Sequence, residues 1–559
     1  MSHLGKIVLF IFSLKVLGSN AFCEPYKCDS EQYYSGAYLD QIKSERLTPV
    51  IMVTGWSENS LHSTTLKQAQ KQTRAFAASY LHAVRLYQIY GKVKLFYLTT
   101  CPISEDYRRY LYRVGTGDFG IDGFRDFEKY ALKLIVFNRP RHRKNTPPGD
   151  LDGFKKGTQE FPQAQNFFFS KRNRTLLNTL KGHMEAYRKS SRFEIVGLDA
   201  HSNSPLLAFI ARYLNIPLLG NKHQHPDVGS KSHGRLVYKQ ARIPHPRGSY
   251  YPTNDPKYLA EEIYELLLEG INKAILKIDR SSAGEGLEIL DFTTELTQGF
   301  MDLDDARQSI NLILLKVADL PSKYLDKLHE HGAIVEEFID AKNSYSPAAM
   351  LMIDKSKVEL LGLYLQELGG DSGLHYQGSR GPISPPLLAK GALAIGNLLA
   401  KTGIKGPVGI DFLSCIIDDC GKSKSLSFAI ENNIRHPSTM YPYMCMKHLL
   451  GEEFLQSKYF KINENLRIPI MTNSKIRNKH QTEFYKWLSH QDFTFSRETR
   501  KGVLIHGEYS AIGKLSAVAI ADTPNEAAEL INKADHEIRQ RIRLWGCKYA
   551  RDHLMRVEI

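Results

Sequence analysis

Residues 274–286 read AILKIDRSSAGEG, an alternating apolar run that ends in a serine–glycine loop. The alternation describes a strand that carries Lys277 at a fixed position, and the loop holds Ser281, Ser282, Gly284 and Gly286. Glycine lacks the side chain that would keep a ligand off the backbone, so such a loop can lay its N–H groups against phosphate oxygens. Lysine adds a compact positive charge for an α- or β-phosphate. A glycine hairpin turn beside an exposed lysine would read the same, so other segments must decide.

Two segments bear on it. Asp411 sits in GIDFL, and SFAIENNIR (427–435) delivers Glu431, Asn433 and Arg435 to one face by strand alternation. Two carboxylates and an amide oxygen are hard ligands suited to Mg2+, which also takes phosphate oxygens and water. Arg435 on the same face can clamp a carboxylate or a phosphoryl group in flight. A polar outer strand face is common, but it does not explain acids and an amide set into an apolar strand pair. AIVEEFID (333–340) is an apolar strand ending in Glu336 and Glu337, a hinge whose backbone could read an adenine edge while Phe338 packs. An edge strand with charged tips looks identical.

The rest of the chain supplies the frame. Upstream, PVIMVTGW, KVKLFYLTT, ALKLIVF and FEIVGLD read as strands, and LKQAQKQTRAFAASYLHAVRLYQIY between the first two has helical apolar spacing. Strands alternating with helices imply a parallel, doubly wound α/β unit. From about residue 231 the strands NKAILKID, GAIVEEFI, SPAAMLMID, KVELLGLYLQ, VGIDFLSCIID and SLSFAIENN imply α+β with antiparallel hairpins. Beyond Leu449 a polar helical stretch precedes renewed alternation in GVLIHGEYSAIGKLSAVAIADT and a charged helix. Gly115, Gly117 and Gly120 spell the dinucleotide fingerprint, but they follow a helical stretch rather than a strand, so they read as a loop.

In order, the lysine strand with SSAGEG, VEEFI, GIDFL and E-x-N-x-R resemble the nucleotide-binding core of ATP-grasp ligases. GSKSHGR (229–235), IPHPRG (243–248), QELGG and HYQGSRGP (366–382) and the C-terminal GVLIHGEYSAIGKLS segment are similar to the pheganomycin-type peptide ligase branch. The resemblance implies a Rossmann-like pre-ATP-grasp domain at 31–228, an ATP-grasp domain at 229–448 and a C-terminal extension at 449–559. It implies ATP with Mg2+ (or Mn2+) as cofactors, and an acid plus an amine or peptide as substrates. Lys231 and Lys277 would contact ATP phosphates, with the loop of Ser281, Ser282, Gly284 and Gly286 closing over them. Glu336, Glu337 and Ile339 would line the adenine pocket. Asp411, Glu431 and Asn433 would hold magnesium, and Arg435 would face the acyl-phosphate or the incoming carboxylate, with Arg380 a second candidate for the same work. The chain departs from the family where HPSTMYP (436–442) carries Tyr441 in place of a common histidine, and where Leu287 replaces an asparagine after the glycine loop. Both departures concern substrate recognition more than ATP binding.

Composition sets the outer bounds. The 559 residues are too many for one core, and 42% apolar with 24% charged residues is ordinary globular usage. The formal charge of +14 suits anionic partners, but it is spread rather than blocked, and no nucleic-acid partner is expected. The densest basic stretch, RPRHRK (139–144), reads as a solvated loop. Seven cysteines scattered over this length imply no disulfide framework. Cys415 and Cys420 read as hairpin residues, and Cys23 and Cys28 could pair if exported. Residues 1–30 contain a signal-like run that Lys15 interrupts, so a signal peptide and a buried N-terminus fit equally; ATP use favours the cytoplasm. No stretch reaches membrane-span length. Two rival readings accompany the ligase, an ATP-binding pseudoenzyme or regulatory module and a basic surface-binding protein.

Overall fold

The computed structural model describes residues 47–54, 66–99, 103–118, 120–137, 171–220, 228–281, 286–339, 344–354, 357–369, 373, 375–419, 422–451, 455, 457–467, 474–508 and 514–553. The signal-like run, Cys23, Cys28, Cys420, the 139–170 segment with its basic stretch, Ser282 and Gly284 lie outside the described residues.

The first four strands are β1 (Thr48–Thr54), β2 (Lys94–Thr99), β3 (Leu132–Val136) and β4 (Phe193–Ala200), all parallel, in the order β3-β2-β1-β4. Every residue of β1 is buried because helices cover both faces. Ile51 and Val53 pack with the Leu66–Tyr90 helix, whereas Val50 and Met52 face the Lys171–Lys189 and Pro205–Leu214 helices. This is the doubly wound α/β arrangement read from the sequence. Gly115 lies inside the Glu105–Thr116 helix, Gly117 is its left-handed cap at φ 77°, and Gly120 precedes the Ile121–Ala131 helix, so the glycine triplet joins two helices.

β5 (Lys273–Ile278), β6 (Leu287–Asp291) and β7 (Ala333–Glu337) form an antiparallel sheet ordered β6-β5-β7. The largest sheet contains β8 (Ser346–Asp354), β9 (Lys357–Gly369), β10 (His375–Ile383), β11 (Gly406–Asp419), β12 (Lys422–Asn433), β13 (Tyr459–Arg467), β14 (Gly502–Gly507) and β15 (Lys514–Ala521). Its order is β12-β11-β8-β9-β10-β13-β15-β14, antiparallel throughout. The strands beyond Leu449 therefore continue this sheet through the β10–β13 ladder. One face packs on the Lys231–Ala241 and Pro386–Lys401 helices; the other shares a core with the Leu66–Tyr90 helix of the parallel unit.

A strap holds the two antiparallel sheets together. The Pro244 carbonyl accepts the Ala429 N–H of β12 at 2.9 Å, and a few residues on Ser249 N donates to Val335 O of β7 at 3.0 Å. Gly248 lies at φ +128°, and a Cβ there would stand 2.1 Å from the Val335 carbonyl oxygen, so the strap's approach to β7 requires glycine. Across the molecule, a buried ion pair joins Arg74 of the first long helix to Glu464 of β13.

Glu508, just beyond β14, accepts the Ser104 N–H at 3.0 Å. Burial pushes its carboxyl up to about 7, against the hydrogen bond from Ser104. The folded chain keeps this proton to higher pH than the unfolded chain, whose carboxyl sits near its ordinary value. The contribution to stability is thus present at low pH and lost as pH rises through 7. Glu508→Gln keeps an acceptor and removes the titration. Its unfolding free energy relative to the parent should rise between about pH 5 and about pH 8 in denaturant titrations, and a pH-independent difference would refute the assignment.

Candidate active site

The Lys231–Ala241 helix begins where all three parts of the site meet. Ser230 caps it by accepting the His233 N–H at 3.2 Å. Asp279, at the end of β5, accepts the Ser232 N–H on its carboxylate at 2.9 Å and the Lys231 N–H on its carbonyl at 3.2 Å. An acid here complements the positive end of the helix dipole. The helix start is thus fixed to β5, and Lys231 leaves it in a set direction.

The Lys231 ammonium donates to the carbonyl and hydroxyl of Ser281 at 2.9 and 3.1 Å and stands 3.8 Å from Glu431 Oε1. Burial lowers its pKa; Glu431 opposes that shift and the nearby positive charge of Lys277 adds to it. Two lysines are thus held close together, in the span between the glycine loop and the acidic strand. Gly286 closes that loop, with its carbonyl accepting the Ile278 N–H at 2.9 Å.

Lys277 Nζ is 2.6 Å from Glu336 Oε2, and Arg235 stands 3.3 Å from Glu336 Oε1. Arg235 also donates to the Gly248 carbonyl at 3.0 Å, and both Arg235 and Glu336 are 1% exposed. One carboxylate therefore restrains two cations and anchors the strap. The resemblance placed Glu336 and Glu337 beside an adenine ring. Their carboxylates are engaged, Glu336 as above and Glu337 by the N–H and Nε of Arg247 at 2.9 and 3.2 Å, so any contact with adenine would come from the backbone. Ile339 follows the strand end, half-buried.

On the large sheet, Asp411 and Glu431 are direct cross-strand partners. Asp411 accepts from Gln366 Nε2 at 2.7 Å and Asn433 Nδ2 at 2.9 Å. Burial first, then the Glu431 charge, pushes Asp411 up to about 7, with Arg435 pulling the other way. Two carboxylates forced together out of water suit a divalent cation between them. Among the described residues no group of three or more His, Cys, Asp or Glu is arranged to hold a metal ion. A magnesium ion here would therefore take most of its ligands from phosphate and water, as Mg2+ commonly does. Asn433 turns its amide nitrogen to Asp411 and its oxygen to Arg435, at 2.5 Å, so it links those two residues; serving as a metal ligand would require the amide to turn over.

Arg380 corrects an expectation. Its neighbour Ser379 pairs with Gln366, which reaches Asp411, so strand alternation sends Arg380 to the opposite face, where it is exposed. It does not join Arg435. Sequence reasoning also left three contributors without a role. Arg235 lies four residues after Lys231, on the same helix face, a spacing that could have flagged it. Gln366 and Tyr238 gave no such signal. The Tyr238 hydroxyl donates to Asn432 at 3.0 Å and is held protonated by burial and by the charges of Glu431, Glu336 and Asp411.

A family model described as the PGM1 C-terminal domain matches residues 488–533. No curated protein matches the chain. Among solved structures, the biotin carboxylase domain of Hydrogenobacter thermophilus 2-oxoglutarate carboxylase, with MgADP and bicarbonate, is 12% identical at TM-score 0.44, covering 88% of this chain and 89% of that one. An ADP complex of N5-carboxyaminoimidazole ribonucleotide synthetase is 11% identical at TM-score 0.45, covering 88% and 96%. Phosphoribosylamine–glycine ligase from Thermotoga maritima is 14% identical at TM-score 0.42, covering 88% and 96%. At this level of likeness the site is read from its own residues.

Glu336→Gln removes the shared counter-charge of two buried cations. Breaking a buried ion pair from one side costs about 3–5 kcal/mol, and denaturant unfolding of the variant should show a loss of that size. A loss under about 1 kcal/mol would mean that Lys277 and Arg235 do not depend on it.

Proposed function

We propose that the chain is an ATP- and Mg2+-dependent carboxylate–amine ligase of the ATP-grasp kind, forming an amide or peptide bond through an acyl-phosphate. The observation that carries this reading is the meeting at Lys231 of Ser281, just after β5, with the acidic pair on β11 and β12. A triphosphate laid between them would find two lysines on one side and two carboxylates on the other. Neither half alone has a reason to bury so much charge.

In this reading the substrate carboxylate attacks the γ-phosphate, giving an acyl-phosphate and ADP. An amine then displaces phosphate and leaves the amide. A bare carboxylate oxygen is a poor leaving group, and phosphorylation makes it a good one. Lys277, held by Glu336, and Lys231, held by Ser281, would neutralise phosphate charge without having to reorganise. Arg435 would receive the charge on the transferred phosphoryl group or on the substrate carboxylate. Asp411 and Glu431 would hold magnesium, which when bound would supply a divalent charge against the phosphates. The parallel unit (31–228) would wall the substrate side, with 229–448 as the nucleotide core and 449–559 as its extension.

Purified chain, incubated with MgATP and pooled amino acids and small peptides, should release ADP in step with amide formation, and leaving out the pool should stop the release. Glu431→Gln should lower that release by on the order of 100-fold or more while leaving the thermal transition in place. Near-normal turnover in this variant would overturn the metal assignment.

A further inference from the structure

Arg435 lies two residues beyond Asn433, the last residue of β12 that pairs with β11, so no ladder sets its direction. Its chain neighbour His436 joins a buried cluster at the carboxyl edge of the parallel sheet. Asp199 is the last residue but one of β4, and His201 follows the strand, its N–H bonded to the carbonyl of Thr54 at the end of β1 at 3.3 Å. His436, next to Arg435, donates its peptide N–H to the His201 carbonyl at 3.0 Å, and its Nε2 stands 3.6 Å from Asp199 Oδ2. Tyr441, from the Met440–Leu450 helix, packs with both imidazoles. Its ring centroid is 5.9 Å from that of His201 and 5.7 Å from that of His436, the latter nearly parallel at 5°. The Tyr441 hydroxyl meets His201 Nδ1 at 2.9 Å. Asp199, His201, His436 and Tyr441 are each under one-tenth exposed.

Burial and the Asp199 charge keep the Tyr441 phenol protonated, with Arg74 and Arg435 close enough to oppose them. The protonated phenol and His201 Nδ1 share one hydrogen bond, whose direction follows the imidazole tautomer. The connection runs without a gap from the parallel sheet through His201 and Tyr441 to His436, and from there along the chain to Arg435 and its bond to Asn433. A cluster serving only as packing would have no need of the hydroxyl, because phenylalanine fills the same space.

We propose that Tyr441, acting through His201, His436 and Asp199, is a positioning residue for Arg435. From the parallel-sheet half, it sets the direction in which that guanidinium meets the transferred phosphoryl group or the substrate carboxylate. The assignment rests on the ligase reading above for its consequence in turnover, but its geometric content stands apart from that reading. It also gives a use to the tyrosine that stands where the resembled family commonly has histidine.

Tyr441→Phe keeps the ring and removes the hydrogen bond. In a crystal structure of the full-length variant, the Arg435 guanidinium should move from Asn433 by about 1 Å or more, a displacement that costs on the order of 100-fold in rate when it occurs at reacting groups. An unmoved Arg435 overturns the proposal whatever the enzyme's activity. With the amino-acid and peptide pool, Tyr441→Phe should lower kcat for ADP release by about 10- to 100-fold while KM for MgATP changes by less than about 2-fold. In an Arg435→Met background the same substitution should have almost no further effect, because residues acting as one unit are not additive. A full, additive loss in that background, or unchanged kcat in the single variant, would also overturn the assignment. Absence of ADP release from the unsubstituted chain would sink the ligase reading and leave the crystallographic test to decide the positioning role.

Discussion

The placement of one ammonium group holds this architecture to its purpose. Lys231 is nearly buried, yet it carries its charge between the Ser281 carbonyl on the small sheet and the Glu431 carboxylate on the large one. Stripped of water, that charge persists only because partners from both sheets supply what solvent would have supplied. The same demand fixes the helix start on Asp279 and the strap between β12 and β7.

Around that point the charges are arranged in two ranks. Lys277 and Arg235 share Glu336 on one side, and Asp411 faces Glu431 on the other. The first rank sets two cations on one carboxylate, a net positive charge that suits a phosphate. The second carries an excess of negative charge, expressed in the raised pKa of Asp411, and such an excess is what a cation would relieve. Arg435 stands at the open end of this second rank, tied through Asn433 to Asp411 and through the aromatic cluster to the parallel sheet.

Much of this was legible in the sequence, and the boundary is physical. Period-two alternation set Glu431 and Asn433 on one face, and both do meet Asp411. The Leu66–Tyr90 helix and the four parallel strands followed from apolar spacing alone. What alternation could not show was which side of a two-faced sheet each register selects, and Arg380 went astray for that reason. Nor could it show that the Glu336 side chain is buried and shared by two cations. Pairings across hundreds of residues, such as Arg74 with Glu464 or His201 with Tyr441, leave no local trace in a single chain. The C-terminal strands were readable as strands, but the ladder that makes them part of the large sheet was not.

The most direct test of the central claim is a crystal structure of the chain with magnesium and a non-hydrolysable ATP analogue. The account requires the triphosphate to lie between Lys277 and Lys231 on one side and Asp411 and Glu431 on the other, with the metal touching at least one of the two carboxylates. A nucleotide bound elsewhere, or a triphosphate that leaves Lys231 and Glu431 in their present contact with no metal beside them, would contradict it.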